Sequence, residues 1–214
     1  MKGAVVYISS NREDEDFENR IIIDMLCKKG DLGLVSVTQK SMELGENYYV
    51  GDVGASGFNF CRQLQMAVKR SRADYVVSCE ADCLYSPDYF KFIPKKLNRV
   101  YRNTNNYIIP YKKDVYWKKD SQTAFQVAGR KFLLDRLDYL LYGHPEWDTD
   151  MKNFPKEVGK KFLDKWSTFK TKDACLTIKT GKGMRRHSHS SRKDVDKLPY
   201  WGYAKDIRKD YLCE

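Results

Sequence analysis

The sequence predicts an α/β fold: a mostly parallel central sheet flanked by helices, with a basic C-terminal extension. Three observations carry this. Short apolar runs alternate with helically spaced apolar residues through the first half of the chain, and the connections between them are short. Charge is uneven: residues 151–214 hold 17 Lys plus Arg against 8 Asp plus Glu, whereas residues 1–150 hold 22 against 21.

Taken in order, Ala4–Ser9 reads as a first strand. Phe17, Ile21, Ile22, Met25 and Leu26 recur at helical spacing, with Gly30 as a stop. Gly33–Thr38 is a second strand. Gly51, Gly54 and Gly57 punctuate a loop before a helix through Phe60, Leu64, Ala67 and Val68. Asp74–Cys79 is a third strand, and Ser86-Pro87-Asp88 opens a helix with a cap residue, a proline in the first turn and an acid at the positive end of the dipole. Beyond it, Tyr107–Pro110, Asp114–Trp117 and Thr123–Ala128 read as strands. Arg130–Leu141 and Phe154–Trp166 read as helices, and Ala174–Lys179 as a last strand before a polar tail.

A chain of 214 residues with 42% hydrophobic content is long enough for one domain with a substantial core and too apolar for general disorder. The N-terminal apolar run, Ala4 to Ile8, breaks at Ser9 and is too short for a signal peptide or an anchor, so the expectation is a soluble, cytoplasmic chain without membrane insertion. Cys27, Cys61, Cys79, Cys83, Cys175 and Cys213 lack paired metal-ligand spacing and read as reduced thiols. The basic C-terminal part suits a polyanionic partner (a diphosphate, a nucleic acid or an acidic surface), although scattered lysines also make a solvated face.

The stretch richest in chemistry is the third strand and the turn after it. An apolar run ends in Glu80-Ala81-Asp82. In extended backbone, residues i and i+2 point the same way, so the two carboxylates converge at the carboxyl end of a strand, where open α/β sheets collect ligands. Hard oxygen donors there suit Mg²⁺ or Mn²⁺ bridging phosphates; the alternative is a solvated acidic turn. No Walker-type phosphate loop, Gly-x-Gly-x-x-Gly or serine nucleophile elbow is present.

Gly54-Ala55-Ser56-Gly57, a helix carrying Arg62, then Ala73-Asp74-Tyr75, an apolar strand, Glu80-Ala81-Asp82 and Ser86-Pro87 together resemble the first half of glycosyltransferase family 2 and related GT-A enzymes. The resemblance covers about residues 4–95, with Glu80 where the family's Asp-x-Asp motif has its first acid. It implies a GT-A, Rossmann-like domain over residues 1–180 and a basic, aromatic tail over 181–214 packing above the site. It also implies metal on Glu80 and Asp82 holding the diphosphate of a nucleotide-sugar donor, with UDP the expected nucleotide. Ser9, Ser10, Asn11 and Arg12 would line base and ribose, joined by Thr38 and Gln39, and Arg62 would approach the diphosphate or base. On the residues alone, Ser10 and Asn11 serve equally as helix caps and Arg62 as a solvent-facing cation.

The same resemblance implies a catalytic base within Glu146-Trp147-Asp148-Thr149-Asp150, with Asp148 first, Asp150 second and Glu146 behind them; Trp147 would stack on a sugar or base. A surface turn with its Trp in the core is the plainer reading. In the tail, His187 or His189 would complete the metal shell, and Arg185, Arg186 and Arg192 would neutralise the leaving nucleotide. Leu198–Tyr203 is aromatic enough to dock on the body and hold that loop over the site. The implied activity is inverting sugar transfer to a hydroxyl of a glycan or protein. The basic charge also admits a nucleic-acid acceptor, such as a hydroxymethylated base in phage-type DNA. Two alternatives stand beside it. A sugar-nucleotide nucleotidyltransferase would carry a Gly-rich basic loop where Ser9-Ser10-Asn11-Arg12-Glu13-Asp14 lies, and a non-catalytic nucleic-acid-binding module would rest on the basic tail.

Overall fold

The first strand, β1 (Gly3–Ser9), is buried along its whole length. Its alternate residues serve two cores, as the two-residue period of a strand requires. Val5 and Tyr7 pack with Ile22 and Met25 of α1 (Glu15–Lys28), whereas Val6 and Ile8 pack with Leu64, Ala67 and Val68 of α2 (Gly57–Arg70). The computed structural model describes residues 1–120, 122–150, 166–183 and 193–212. Each fully buried aliphatic side chain of this kind contributes roughly 1.5–3 kcal/mol.

β1 lies between β2 (Gly33–Thr38) and β4 (Tyr75–Glu80), parallel to both, and β3 (Glu46–Tyr49) extends the edge beside β2. Beyond β4 the direction changes. β9 (Gln126–Gly129) runs antiparallel to β4 and to β6 (Val100–Asn103), and β10 (Trp166–Phe169) closes the sheet parallel to β6. The order is β10-β6-β9-β4-β1-β2-β3, mostly parallel, with helices on both faces. Gly129 lets the Leu97 backbone pass close to the end of β9, because a Cβ there would lie 1.7 Å from the carbonyl oxygen of Leu97.

A second sheet grows from the end of β4. β5 (Cys83–Leu84) pairs antiparallel with β11 (Cys175–Ile178), which lies parallel to β7 (Asn106–Ile109); β8 (Tyr116–Lys119) and β12 (Asp194–Val195) complete it. Between the sheets, α3 (Pro87–Phe90) buries Tyr89, whose hydroxyl lies within hydrogen-bond reach of the carbonyls of Ser78 (2.9 Å) and Gln126 (3.0 Å), joining β4 to β9.

The structure departs from the expected elements where signals were short. The segment expected to end a helix at Trp166 instead begins β10 there, and the rest of that helix lies outside the described residues. The expected polar tail carries a β13–β14 hairpin (Lys197–Leu198 with Gly202–Tyr203) and a helix, α5 (Ala204–Leu212). Leu198, Ala204 and Ile207 share a core with Phe17 and Ile21 of α1, and the Trp201 indole donates to the Ala174 carbonyl at 2.7 Å. Among the described residues no helix is long and apolar enough to cross a membrane. Cys61, Cys79, Cys83 and Cys175 are unbridged and at least half-buried, and Cys27 is exposed and unbridged.

Candidate active site

The strand register sets the site. Ile8 pairs with Glu80 and Ser9 with Thr38, so the carboxyl ends of β1, β2 and β4 finish side by side. A cleft open to solvent lies over them, walled by Ser9, Ser10 and Arg12 on one side and by Glu80, Ala81 and Asp82 on the other. Its floor includes Gln63, a buried amide whose two hydrogens go to the carbonyls of Ser9 (2.8 Å) and Val37 (3.1 Å). Those carbonyls end strands and need partners, so one side chain of α2 ties two strand ends together.

Of the predicted nucleotide wall, Ser9, Ser10 and Arg12 line the cleft, whereas Asn11, Thr38 and Gln39 stand behind it. Asn11 adopts a left-handed backbone (φ 48°), which Asn tolerates better than most residues. Its Oδ1 accepts from the backbone N–H groups of Gln39 and Lys40, both at 2.8 Å, and its Nδ2 faces the buried Glu18 carboxylate at 3.3 Å. Thr38 is buried and donates to the Lys40 carbonyl, and the Gln39 side chain donates to the carbonyl of Gly54 at 2.9 Å. The alternative that Ser10 or Asn11 caps the first helix is corrected: the cap is Asp14, whose carboxylate accepts from the Asp16 N–H.

On the opposite wall Glu80 and Asp82 converge as expected, and Cys83 joins them. One ligand atom from each lies within 4.8 Å of the others. Burial, and then the neighbouring Asp82 charge, push the Glu80 carboxyl up to about 8, against the pull of Lys179. The Lys179 ammonium sits 3.0 Å from Asp82 Oδ2. Burial works against its charge, but Asp82, Cys83 and Glu80 more than offset that and hold it above the ordinary lysine range. Glu13, also in the cleft wall, accepts from the Thr180 hydroxyl at 2.6 Å, and burial raises its carboxyl. Three acids thus face one cleft, and repulsion within the Glu80–Asp82 pair is what a divalent cation would relieve. The two carboxylates are hard oxygen donors that fit Mg²⁺ or Mn²⁺, whereas burial holds the Cys83 thiol protonated, as a donor to Asp82 and not a ligand for such an ion.

Among the described residues, the third predicted constellation is tied to the cleft only through Ser56; Glu146, Asp148 and Asp150 are not among the residues that line it. Because β9 runs antiparallel to β4, α4 (Arg130–Leu141) starts at the far end of the sheet, where the Arg130 N–H bonds the Asp74 carbonyl, and returns toward the cleft. The loop after it docks on the start of α2. Ser56, the N-cap of α2, accepts from the Asn59 N–H (3.0 Å) and donates to the Asp148 carbonyl (2.5 Å), and the Asn59 Oδ1 accepts from the Asp148 N–H (2.8 Å). Ser56 lines the cleft. Asp148 is half-buried, with its Oδ1 accepting from the Asp150 N–H at 2.6 Å; Trp147 is half-buried, and Glu146 and Asp150 are exposed.

Arg62 has a different place from the one the resemblance implied. Its guanidinium donates to the carbonyls of Leu141, His144 and Pro145 and to the Gln65 side chain, and lies over the Phe58 ring. It is not among the cleft-lining residues. It fastens the loop after α4 onto α2, because a planar fork with several donors suits clustered carbonyls. His187, His189, Arg185, Arg186 and Arg192 lie outside the described residues.

The fold has counterparts among solved structures. S. aureus TarS matches with a TM-score of 0.55 at 14% identity, over 83% of this chain and 37% of that one. TarS 1–349 in complex with UDP-GlcNAc matches with a TM-score of 0.54 at 13% identity, over 92% of this chain and 62% of that one. The fold is of the GT-A type. A glycosyltransferase involved in glycosylating the major capsid of PBCV-1 aligns more loosely, at a TM-score of 0.45 and 8% identity, over 78% of this chain and 82% of that one. The chain therefore spans under two thirds of the length of either TarS structure. No protein-family model matches it, and no curated protein matches it in sequence. The TM-scores of the two TarS structures show a shared fold.

Sequence reasoning missed two polar residues that line this GT-A cleft, Glu13 and Gln63, and two that stand beside its acids, Cys83 and Lys179. Glu13 and Cys83 sit within three residues of predicted site positions and were open to the same strand-end argument. Lys179 is 97 residues from its partner Asp82, and only the pairing of β5 with β11 brings them together.

Proposed function

We propose that this protein transfers a sugar from a nucleotide-sugar donor to an acceptor hydroxyl, with inversion, using Mn²⁺ or Mg²⁺ held by Glu80 and Asp82. The observation that carries this is the convergence of those two carboxylates at the end of β4, in a cleft of a GT-A fold. The likeness to TarS bound to UDP-GlcNAc supports a nucleotide-sugar, with UDP the first base to test.

In this reading Ser9, Ser10 and Arg12 receive the nucleotide, on a wall that Asn11, Thr38 and Gln39 hold in shape. The metal, when bound, supplies positive charge for the donor diphosphate. Asp148 is the base, since both its backbone polar groups are pinned beside the cleft-lining Ser56. It takes the proton of the acceptor hydroxyl as that oxygen bonds to the anomeric carbon, while the bond from that carbon to the diphosphate breaks and the nucleoside diphosphate leaves with the pair. Asp150 and Glu146 flank it on the same loop. The tail residues Arg185, Arg186, Arg192, His187 and His189 remain candidates for the leaving diphosphate and the metal. The acceptor is a hydroxyl of a glycan or protein, with a hydroxymethylated DNA base as the other candidate to be assayed.

The test is a thermal-shift panel of UDP-, GDP-, ADP- and CMP-sugars, each with Mn²⁺ and with EDTA. A ligand at 100 times its Kd adds roughly 2.7 kcal/mol of stability. A shift with one nucleotide class that vanishes in EDTA and in Glu80→Ala/Asp82→Ala is expected. Donor turnover that survives the double substitution would sink the proposal.

A further inference from the structure

One carboxylate oxygen of Asp82 already has a cation. Lys179 Nζ lies 3.0 Å from Asp82 Oδ2, with both side chains largely buried, so the pair is shielded from bulk water. The backbone that carries it is also fixed in place. The Ile178 N–H bonds the Asp82 carbonyl at 2.8 Å and the Lys179 N–H bonds the Ile109 carbonyl at 2.9 Å. The next residue, Thr180, donates to the cleft-lining Glu13, and Lys182 lies 3.7 Å from Asp14. The β11 end therefore presents Lys179 to the same carboxylate pair that the proposed function gives to the metal.

We propose that Lys179 is a resident counter-cation that makes metal binding depend on the donor diphosphate. In the empty protein its ammonium satisfies Asp82, and a divalent ion must either displace it or bind beside it against like-charge repulsion. A diphosphate brings several negative charges at once. It can accept the Lys179 ammonium and so release Asp82 to the metal. Metal and diphosphate then bind with positive coupling, and by linkage each raises the other's affinity by the same factor. Lys179 is a positioning residue in this scheme, and its chemistry is that of a phosphate-binding point charge.

This rests on the metal reading above, and the test separates the two. Mn²⁺ binding to the full chain is followed by the loss of free-ion electron paramagnetic resonance signal, with and without inorganic pyrophosphate, for wild type, Lys179→Met and Lys179→Arg. The expected result is weak Mn²⁺ binding by the wild type alone, strengthened at least about tenfold by pyrophosphate after correction for the Mn²⁺–pyrophosphate complex in solution. Lys179→Met should bind Mn²⁺ about tenfold more tightly than wild type without pyrophosphate and lose most of the coupling, while Lys179→Arg keeps it. A lysine with only a structural role would not raise metal affinity when removed. Lys179→Met binding Mn²⁺ no more tightly than wild type overturns the inference and leaves the metal site standing. No Mn²⁺ binding by wild type, even with pyrophosphate, overturns the metal reading and the inference together. If Lys179→Met does not fold, Lys179→Gln answers the same question.

Discussion

Asn11 accepts the backbone N–H of Gln39 on its side-chain oxygen at 2.8 Å, joining the loop after β1 to the loop after β2. The same oxygen accepts the Lys40 N–H. Removing it strands two backbone donors. Asn11→Ala is expected to cost about 1–3 kcal/mol, with additional strain from a left-handed backbone that Ala resists. Asn11→Gly relieves the strain but not the lost bonds, so its urea midpoint should fall between those of Ala and wild type at equal m value. An Ala variant as stable as wild type would refute the stitch.

Arg62 offers a clean separation of two roles. If it fastens the loop after α4, Arg62→Met lowers the melting temperature by the loss of charged hydrogen bonds, roughly 1.5–3 kcal/mol in total. The shift given by a nucleotide-sugar should then stay that of wild type. A folded variant with normal stability but no donor response would return Arg62 to the donor site.

Gly54 tests how closely the rim is packed. Its φ of +76° favours glycine, and a Cβ there would lie 2.6 Å from Thr149 Cγ2. Gly54→Ala should destabilise by about 1–3 kcal/mol. Thr149→Ser deletes the clashing methyl and nothing else of the contact. The double variant should recover part of the loss, the remainder being backbone strain. Additive effects in the double-mutant cycle would count against this contact.

Glu80 gives a pH signature. Its carboxyl is raised to about 8 in the folded protein, from an ordinary value of 4.5. Below about pH 4.5 the group is protonated in both states. Between the two values the folded state holds a proton that the unfolded state has released, so metal-free stability falls as pH rises toward 8. Glu80→Gln should flatten that part of the curve, read as the wild-type minus variant difference in melting temperature from pH 5 to 9 in EDTA. Stabilisation of the wild type by Mn²⁺ should grow over the same range, because the ion needs the carboxylate. A difference curve without slope would contradict the burial-driven shift.

Much of the fold and half of the site are legible in the sequence, and the rest is hidden for physical reasons. β1 and β2 are readable because continuous apolar runs mark buried strands, and α4 because its buried residues Leu133, Leu137, Leu140 and Leu141 follow a 3.6-residue period. The Glu80–Asp82 pair is readable because an apolar run ending in two closely spaced acids marks a strand end, although the two converge through a turn at Ala81–Asp82 and not along extended chain. β3, with the sequence Glu46-Asn47-Tyr48-Tyr49, sits at the sheet edge and carries no such run. Trp166 reads as the end of a helix because aromatic spacing alone cannot distinguish a short edge strand. α5 hides its apolar face in a strongly charged segment, with only Ala204, Ile207 and Arg208 buried. Lys179 and Gln63 reach the site through pairing and packing between distant segments, which no local pattern encodes.

The reversed strand β9 has an engineering consequence. Because it sends the chain to the far end of the sheet, α4 works as a measuring rod back to the rim. Its 12 residues span about 18 Å at 1.5 Å each. One residue added or removed within it would turn everything downstream by about 100° as well as moving it along the axis. The loop from Glu146 to Asp150 would then no longer meet Ser56 and Asn59. Changes of a whole turn would preserve its facing and alter only its reach, so α4 is the place to retune how far the acidic rim stands from the cleft.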